Sequence, residues 1–387
     1  MPKPAVANRA DTKNTDPFQH RLSRLGRVIG ELGIERLLVT NPKDVGYLTG
    51  FLGGDSYLLV PALGHKAPPP VIVSDFRYME ELESVRERVQ VHIRSKSMIE
   101  AVAEVVGSAG GEGGGGATLR IGVQAEHMTI AEKAAIGRKV GAKRLVDTTG
   151  LVPRLRAVKD ESEIGLIRKA IKIQEQALDA VLPSIKAGQT EAEIAARLES
   201  EMKMRGSSEP GFQTIVAAGA SGSLPHYRPK MKKVAAGKPL LIDWGAVHLG
   251  YHGDMTRTFA MGKWPAKMAE IYAIVLEAHQ LAAQALGPGK MTTEIDGVAR
   301  KHIGRAGYAE FFGHGLGHGI GLNGHEDPRL TNMMAGTRLE AGMVVTIEPG
   351  IYLPGVGGVR LEDDYAITDK GAVNLCSMKK DLEWGVL

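Results

Sequence analysis

The chain has 387 residues, enough for two substantial hydrophobic cores, and its 43% hydrophobic and 24% charged content is that of a globular protein in water. The net charge of +4 is spread along the chain, which argues against a dedicated nucleic-acid-binding face. The single cysteine, Cys376, excludes an intramolecular disulfide and a cysteine-built zinc cluster, and it suits a reducing, cytoplasmic setting. Residues 1–17 are polar and proline-containing, without the apolar run of a signal peptide, and read as a disordered tail. No later stretch approaches the eighteen consecutive apolar residues of a membrane span, so no membrane association is expected.

From 18 to 155 short strands alternate with helices. A helical pattern, RLSRLGRVIGELG, leads into the apolar strand RLLVT. SYLLV, PVIVSD, VQVHIR, LRIGV and KRLVD read as further strands, and MIEAVAEVVGSA and IAEKAAIGRKV as helices between them. This alternation predicts an α/β domain with a largely buried sheet. The run GSAGGEGGGG (107–116) is expected to be a flexible loop. A boundary is expected near 155, where LVPRLRAVKDESEI offers a proline break. Asp160 with Glu163 three residues later then opens a long helix.

The rest of the chain, 156–387, repeats itself. Helices at 160 and 190 are followed by glycine-punctuated strands, then helices over 266–286 and 292–306 are followed by strands again. In the first half, LLID and the return segment HGDMTRTF carry Asp243 and Asp254. In the second, VVTIE and VRLEDD carry Glu348 and Glu362. Each first acid ends an apolar strand, a glycine follows two residues on, and the second acid stands near the start of the returning strand. Such hairpins bring carboxylates onto adjacent strands. Carboxylates leaving an apolar core need a partner, either divalent cations or basic side chains, and Arg257 and Arg360 are near enough in sequence to serve.

After the second helix pair lies GHGLGHGIGLNGH (313–325). Five glycines would cost a helix about 1 kcal/mol each relative to alanine, so an extended segment is expected. The period of two then puts Gly313 to Gly321 on one face and His314 and His318 on the other, with the glycine face closely packed. His325 follows an Asn-Gly turn and is able to swing back toward the same place. His226 adds a fourth histidine. There is no HExxH pair, no phosphate-binding loop and no G-x-S-x-G elbow.

Taken in order, D-x-G (243–245), D-x-T-R-T (254–258), G-H-G-x-G-H (313–318), E-P-G (348–350) and R-x-E-D (360–363) resemble the pita-bread metallopeptidases: aminopeptidase P, prolidase, methionine aminopeptidase and the metal-free creatinase. The resemblance covers nearly the whole chain. It implies an α/β creatinase/prolidase-type N-terminal domain over 18–155. An α+β pita-bread catalytic domain with a pseudo-two-fold internal repeat would follow over 156–387. It further implies two divalent metal ions, manganese first, with cobalt, zinc or iron as alternatives. Asp243 would chelate one ion, Asp254 and Glu362 would bridge both, and His318 and Glu348 would complete the second. A water or hydroxide between the ions would be the nucleophile and Glu348 its proton acceptor. His226 and His325 would meet the substrate and the developing oxyanion, His314 would line the substrate site, and Arg360 would hold a carboxylate ligand in place. All five ligand positions are kept, unlike in creatinase, and the N-terminal domain separates the chain from methionine aminopeptidase. The implied activity is therefore most like that of a bacterial Xaa-Pro aminopeptidase acting on proline-containing peptides. A prolidase restricted to dipeptides is the alternative, and a small-molecule lyase or hydrolase or a binding protein on the same fold stands further off. The resemblance also implies a homodimer or homotetramer. One departure concerns Asn323-Gly324, where the family more often has Glu-Val or Asp-Val, beside the loop that aims His325.

Overall fold

The computed structural model describes residues 16–64, 67–108 and 119–387. The chain divides into two compact units, Met1–Arg156 and Ala157–Leu387. In the first, α1 (Pro17–Glu31) is capped by Asp16 and leads to β1 (Arg36–Val39), α2 (Pro42–Thr49), β2 (Tyr57–Pro61), β3 (Val71–Ser74), the short α3 (Met79–Leu82) and β4 (Gln90–Ile93). Then come α4 (Met98–Ser108), β5 (Ile121–Gln124), α5 (Ile130–Val140), β6 (Leu145–Thr148) and α6 (Leu151–Ala157). The strands form one mixed sheet in the order β4-β3-β2-β1-β5-β6, parallel at β1–β5, β5–β6 and β3–β4. Strands β1 and β5 are buried along their whole length, including the polar Arg36 and Gln124 at their ends.

Three local features differ from the expectations. PKDVGYLT forms a helix, because Asn41 caps it, Pro42 fills its first position and Gly50 closes it at φ +85°. Residues 151–157 are helical too. Pro153 stands in the first turn, where the missing N–H removes no hydrogen bond, so it does not break the chain there. Gly107 and Ser108 close α4, whereas residues 109–116 of the glycine run, and 1–15 of the expected tail, lie outside the described residues.

In the second unit α7 (Glu161–Val181) and α8 (Glu191–Met204) both open with a complete capping box, Asp160 with Glu163 and Thr190 with Glu193. Strands β7 (Ile215–Ala218), β8 (Pro239–Trp244) and β11 (Met255–Ala260) form an antiparallel sheet in the order β11-β8-β7, and the small hairpin of β9 (Val247–His248) and β10 (Tyr251–His252) is inserted between β8 and β11. Helices α9 (Ala266–Ala285) and α10 (Thr292–Arg305) start the second half. It continues with β12 (Gly317–Gly319), β13 (Glu326–Leu330), β14 (Val344–Ile347), β15 (Gly350–Leu353), β16 (Gly357–Arg360), β17 (Asp363–Thr368) and β18 (Gly371–Asn374). Here the antiparallel order is β13-β12-β14-β17-β18, and the β15–β16 hairpin is inserted between β14 and β17.

The two halves are thus the same construction twice: a helix pair, then a long strand pair with a small hairpin nested inside it. In β8–β11, Asp243 sits opposite Thr256; in β14–β17, Ile347 sits opposite Asp363. Helices α9 and α10 cover the second sheet, with Ile271, Tyr272, Val275, Ile295 and Ile303 packed on Val345, Ile347 and Val359 in one core. The final residues return to β11. The amide of Ala260 donates to the Gly385 carbonyl, that of Leu387 to Ala260, and that of Gly262 to Leu387.

Candidate active site

A cleft of about 690 Å³ opens in the second unit. All nine residues singled out in the sequence line it: His226, Asp243, Asp254, His314, His318, His325, Glu348, Arg360 and Glu362. The strand ends explain the convergence. Asp243 is on β8 and Asp254 immediately precedes β11; Glu348 immediately follows β14 and Glu362 immediately precedes β17. The nested strand pairs meet where the Glu362 amide donates to the Thr256 carbonyl at 3.1 Å and the Thr256 hydroxyl donates to Glu362 Oε2 at 2.7 Å.

The glycine-rich segment is less regular than its alternation suggests. Only Gly317–Gly319 are in a strand, and the register shifts between His318 and Gly319. This bulge ends the two-residue period, so the five glycines do not share one face. Close packing holds at the centre nevertheless. A Cβ on Gly317 would lie 2.1 Å from the Thr346 carbonyl oxygen, and one on Gly319 would lie 2.3 Å from that of Asp327. Both neighbouring strands therefore press on this segment and fix His318 between them. His325, past the Asn323-Gly324 turn, lies over the His318 ring with centroids 3.8 Å apart.

The charges do not balance. Asp243, Asp254 and Glu362 are buried and Glu348 nearly so, and they share the guanidinium of Arg360, which donates to Asp243 Oδ2 at 2.5 Å. Arg257, the other basic residue close in sequence, is turned away and pairs with Asp363 at 2.7 Å. Burial, then mutual repulsion, drives the carboxyls upward. Asp254 and Glu348 lie well above the ordinary range, Asp243 is raised by burial against the pull of Arg360, and Glu362 is pushed up to about 8 by burial and the charge of Asp243. Burial, followed by the neighbouring His325, lowers His318 to about 3, so its imidazole is neutral.

This donor set fits divalent cations. His318 donates from Nδ1 to the Gly319 carbonyl, which leaves the lone pair of Nε2 facing Glu348 Oε1 at 3.3 Å and Asp254 Oδ2 at 3.7 Å. A lone pair aimed at carboxyl oxygens is repulsive unless a proton or a metal cation lies between them. One ligand atom each from Asp254, His318 and Glu362 falls within 4.8 Å of the others. Asp243 Oδ1 is buried with no hydrogen-bond partner. Oxygen-rich sites with one imidazole suit manganese, iron, cobalt and zinc alike.

Sequence reasoning missed four participants. Tyr352 donates to His314 Nε2 and accepts from Arg360, both at 2.8 Å, so a chain of donors runs from Arg360 to His314. Thr256 steers Glu362, as above. Asp364 accepts the Asp254 amide at 3.0 Å. Arg329 lines the cleft. Tyr352 sits beside the E-P-G motif and Thr256 inside D-x-T-R-T, so proximity to a motif was the available signal. Arg329 stands four residues past His325 and had none.

Residues 165–369 match the metallopeptidase family M24, and residues 21–158 match the creatinase/prolidase N-terminal domain. The Xaa-Pro dipeptidase of Pyrococcus furiosus is 34% identical over 94% of this chain and 100% of its own length. Among solved structures, the Xaa-Pro dipeptidase from Bacillus anthracis superposes with a TM-score of 0.89 at 34% identity, covering 96% of this chain and all of its own. The X-Pro aminopeptidase from Thermotoga maritima does so at 0.83 and 32%, covering 94% and 100%. Fold and cleft together are those of a pita-bread metallohydrolase with an N-terminal companion unit. The chain belongs to metallopeptidase family M24.

Proposed function

We propose that this enzyme hydrolyses Xaa-Pro dipeptides. The sequence reading put an Xaa-Pro aminopeptidase first and a dipeptidase second. Relatives named as dipeptidases in P. furiosus, Pyrococcus horikoshii and B. anthracis favour the second reading. The observation that carries it is Arg329, a cation lining the cleft with no hydrogen-bond or ion-pair partner among the described residues. A dipeptide presents its free carboxylate about one residue beyond the scissile bond, where a guanidinium can bind it through two hydrogen bonds.

In this reading Asp243 would help hold one divalent cation, His318 and Glu348 a second, and Asp254 and Glu362 would serve both; manganese is the first candidate. When bound, the cations supply Lewis acidity and acidify water. Glu348 would accept a proton from that water and pass it on. His226 and His325 donate to the oxygen of the attacked carbonyl as it gains charge. His314 is held by Tyr352 as a neutral wall, lowered to about 4 by burial. Arg360 holds Asp243 in place.

Metal-stripped protein reloaded with Mn²⁺ and offered Xaa-Pro dipeptides beside Xaa-Pro-Yaa tripeptides is expected to cleave the dipeptides preferentially. Arg329→Leu is expected to raise KM for dipeptides by about 10–100-fold, the loss of one charge-assisted pair. Preferential release of the first residue from tripeptides, with KM for dipeptides unmoved in Arg329→Leu, would return the assignment to an aminopeptidase.

A further inference from the structure

Glu191 is fully buried in the first turn of α8, and none of the motifs gives it a task. Its Oε1 accepts the Ala218 amide at 2.8 Å, while Oε2 accepts the Tyr227 hydroxyl at 2.8 Å and the Lys230 amide at 3.2 Å. The same helical turn holds the same loop twice more. The Glu191 amide donates to the Lys232 carbonyl at 2.9 Å and the Ala192 amide to the Lys230 carbonyl at 3.0 Å. The nearby ammonium of Lys232 does not neutralise it, since its hydrogen bonds go to the Ala218 carbonyl and the Ser221 hydroxyl. A buried carboxylate is tolerated when several donors satisfy it. One of the three donors, Tyr227, lines the cleft, and Lys230 stands three residues further along the same loop.

Two of those donors, Tyr227 and Lys230, follow His226 closely in the chain. Tyr227 is its direct neighbour and lines the cleft with it, packed in a small buried cluster with Ile215, Ala217 and Leu241. The His226 ring has no hydrogen-bond partner among the described residues and is exposed. Its direction is therefore set by the backbone of the loop, and the loop is set by Glu191.

We propose that Glu191 is a positioning residue: through Tyr227 and Lys230 it fixes the 226–230 loop and aims the His226 imidazole at the substrate carbonyl. The inference rests on the reading that His226 meets that carbonyl. Glutamine at 191 keeps one acceptor but turns an N–H₂ toward groups that need an acceptor, which loosens the loop without opening a cavity.

The test uses the full-length, Mn²⁺-loaded enzyme. Glu191→Gln is expected to lower kcat on an Xaa-Pro dipeptide by about 10–100-fold, the scale of a misplacement near 1 Å, with KM and Mn²⁺ affinity within about twofold of the parent. Tyr227→Phe, which removes one hydrogen bond and disturbs packing least, is expected to cost about 3–10-fold, as one modest hydrogen bond does. In a His226→Ala background, Glu191→Gln is expected to add less than about a twofold loss, because groups that act as a unit are not additive. Losses that multiply instead would make Glu191 merely structural and overturn the proposal. A second readout needs no substrate. Diethyl pyrocarbonate labelling of His226, quantified by peptide mass spectrometry, is expected to change at least about threefold in Glu191→Gln as the ring is released. Equal labelling rates in parent and variant would also overturn it. A parent that cleaves no Xaa-Pro peptide sinks the proposed activity, and the labelling comparison still decides whether Glu191 positions His226.

Discussion

Asp254, a proposed metal ligand, shows how a side chain suited to binding opposes folding. It lies among Glu362, Asp243, Asp364 and Glu348, and after burial their charges raise its carboxyl further. Asp254→Asn keeps the shape and removes the charge. Activity is expected to fall by more than the roughly 10–100-fold that loss of a mere supporting partner costs. Metal analysis is expected to show fewer than two ions per chain. Thermal melting of the metal-free protein at neutral pH should move the other way, upward, because a repulsive charge has gone. Near-normal turnover with two ions bound would show that Asp254 is not a shared ligand. Arg360 illustrates what the sequence could not decide. Spacing allowed both Arg257 and Arg360 to neutralise the acids, and only the fold sends Arg257 to Asp363 and Arg360 to Asp243.

At the scale of elements, the segment around His318 is the most constrained part of the site. Gly317→Ala would drive its Cβ to 2.1 Å from the Thr346 carbonyl, and Thr346 is on a central strand that cannot retreat. The substitution is expected to destabilise the protein by about 1–3 kcal/mol or more, as overpacking does, measured by denaturant unfolding. Gly313→Ala, where nothing lies within 4 Å, is its control and should be close to neutral. Unchanged stability in both would mean that β12 is not clamped. The capping box of α7, the start of α8, the six strands of the first sheet and the paired acid-bearing hairpins were all legible, because each rests on contacts between near neighbours in sequence. The bulge after His318 was not, since it is decided by which strands flank it. Nor was α2, whose eight residues show too little apolar periodicity to stand out. Arg329 and Glu191 were invisible for the same reason: their roles depend on residues that only tertiary folding brings near.

For the molecule as a whole, folding without metal confines four carboxyls around one guanidinium. Glu362 is raised from 4.5 to about 8, so the folded metal-free state binds more protons than the unfolded chain across that interval. Stability from this group is complete below about pH 4.5 and lost as pH rises through 8. The histidines work in the opposite direction. His318, His314 and His279 are depressed from 6.5 to about 3, 4 and 4, and their contribution is complete above 6.5. Between pH 6.5 and 8 the carboxyl effect stands alone, and the metal-free protein is expected to lose stability steadily in denaturant titrations across that window. Saturating Mn²⁺ should flatten the slope and release protons on binding. A metal-free curve that rises over the same interval would contradict the raised carboxyls.

The chain's last residues have a practical consequence. Three hydrogen bonds join Ala260 and Gly262 to Gly385 and Leu387, at the far end of the strand that Asp254 leads into. Loss of residues 385–387 would remove all three bonds, about 0.5–1.5 kcal/mol apiece. A preparation nicked at that end would lose rigidity in the very strand that anchors the acids, although no group in the cleft had been touched. Intact mass is therefore the first quality control before any rate is compared between preparations.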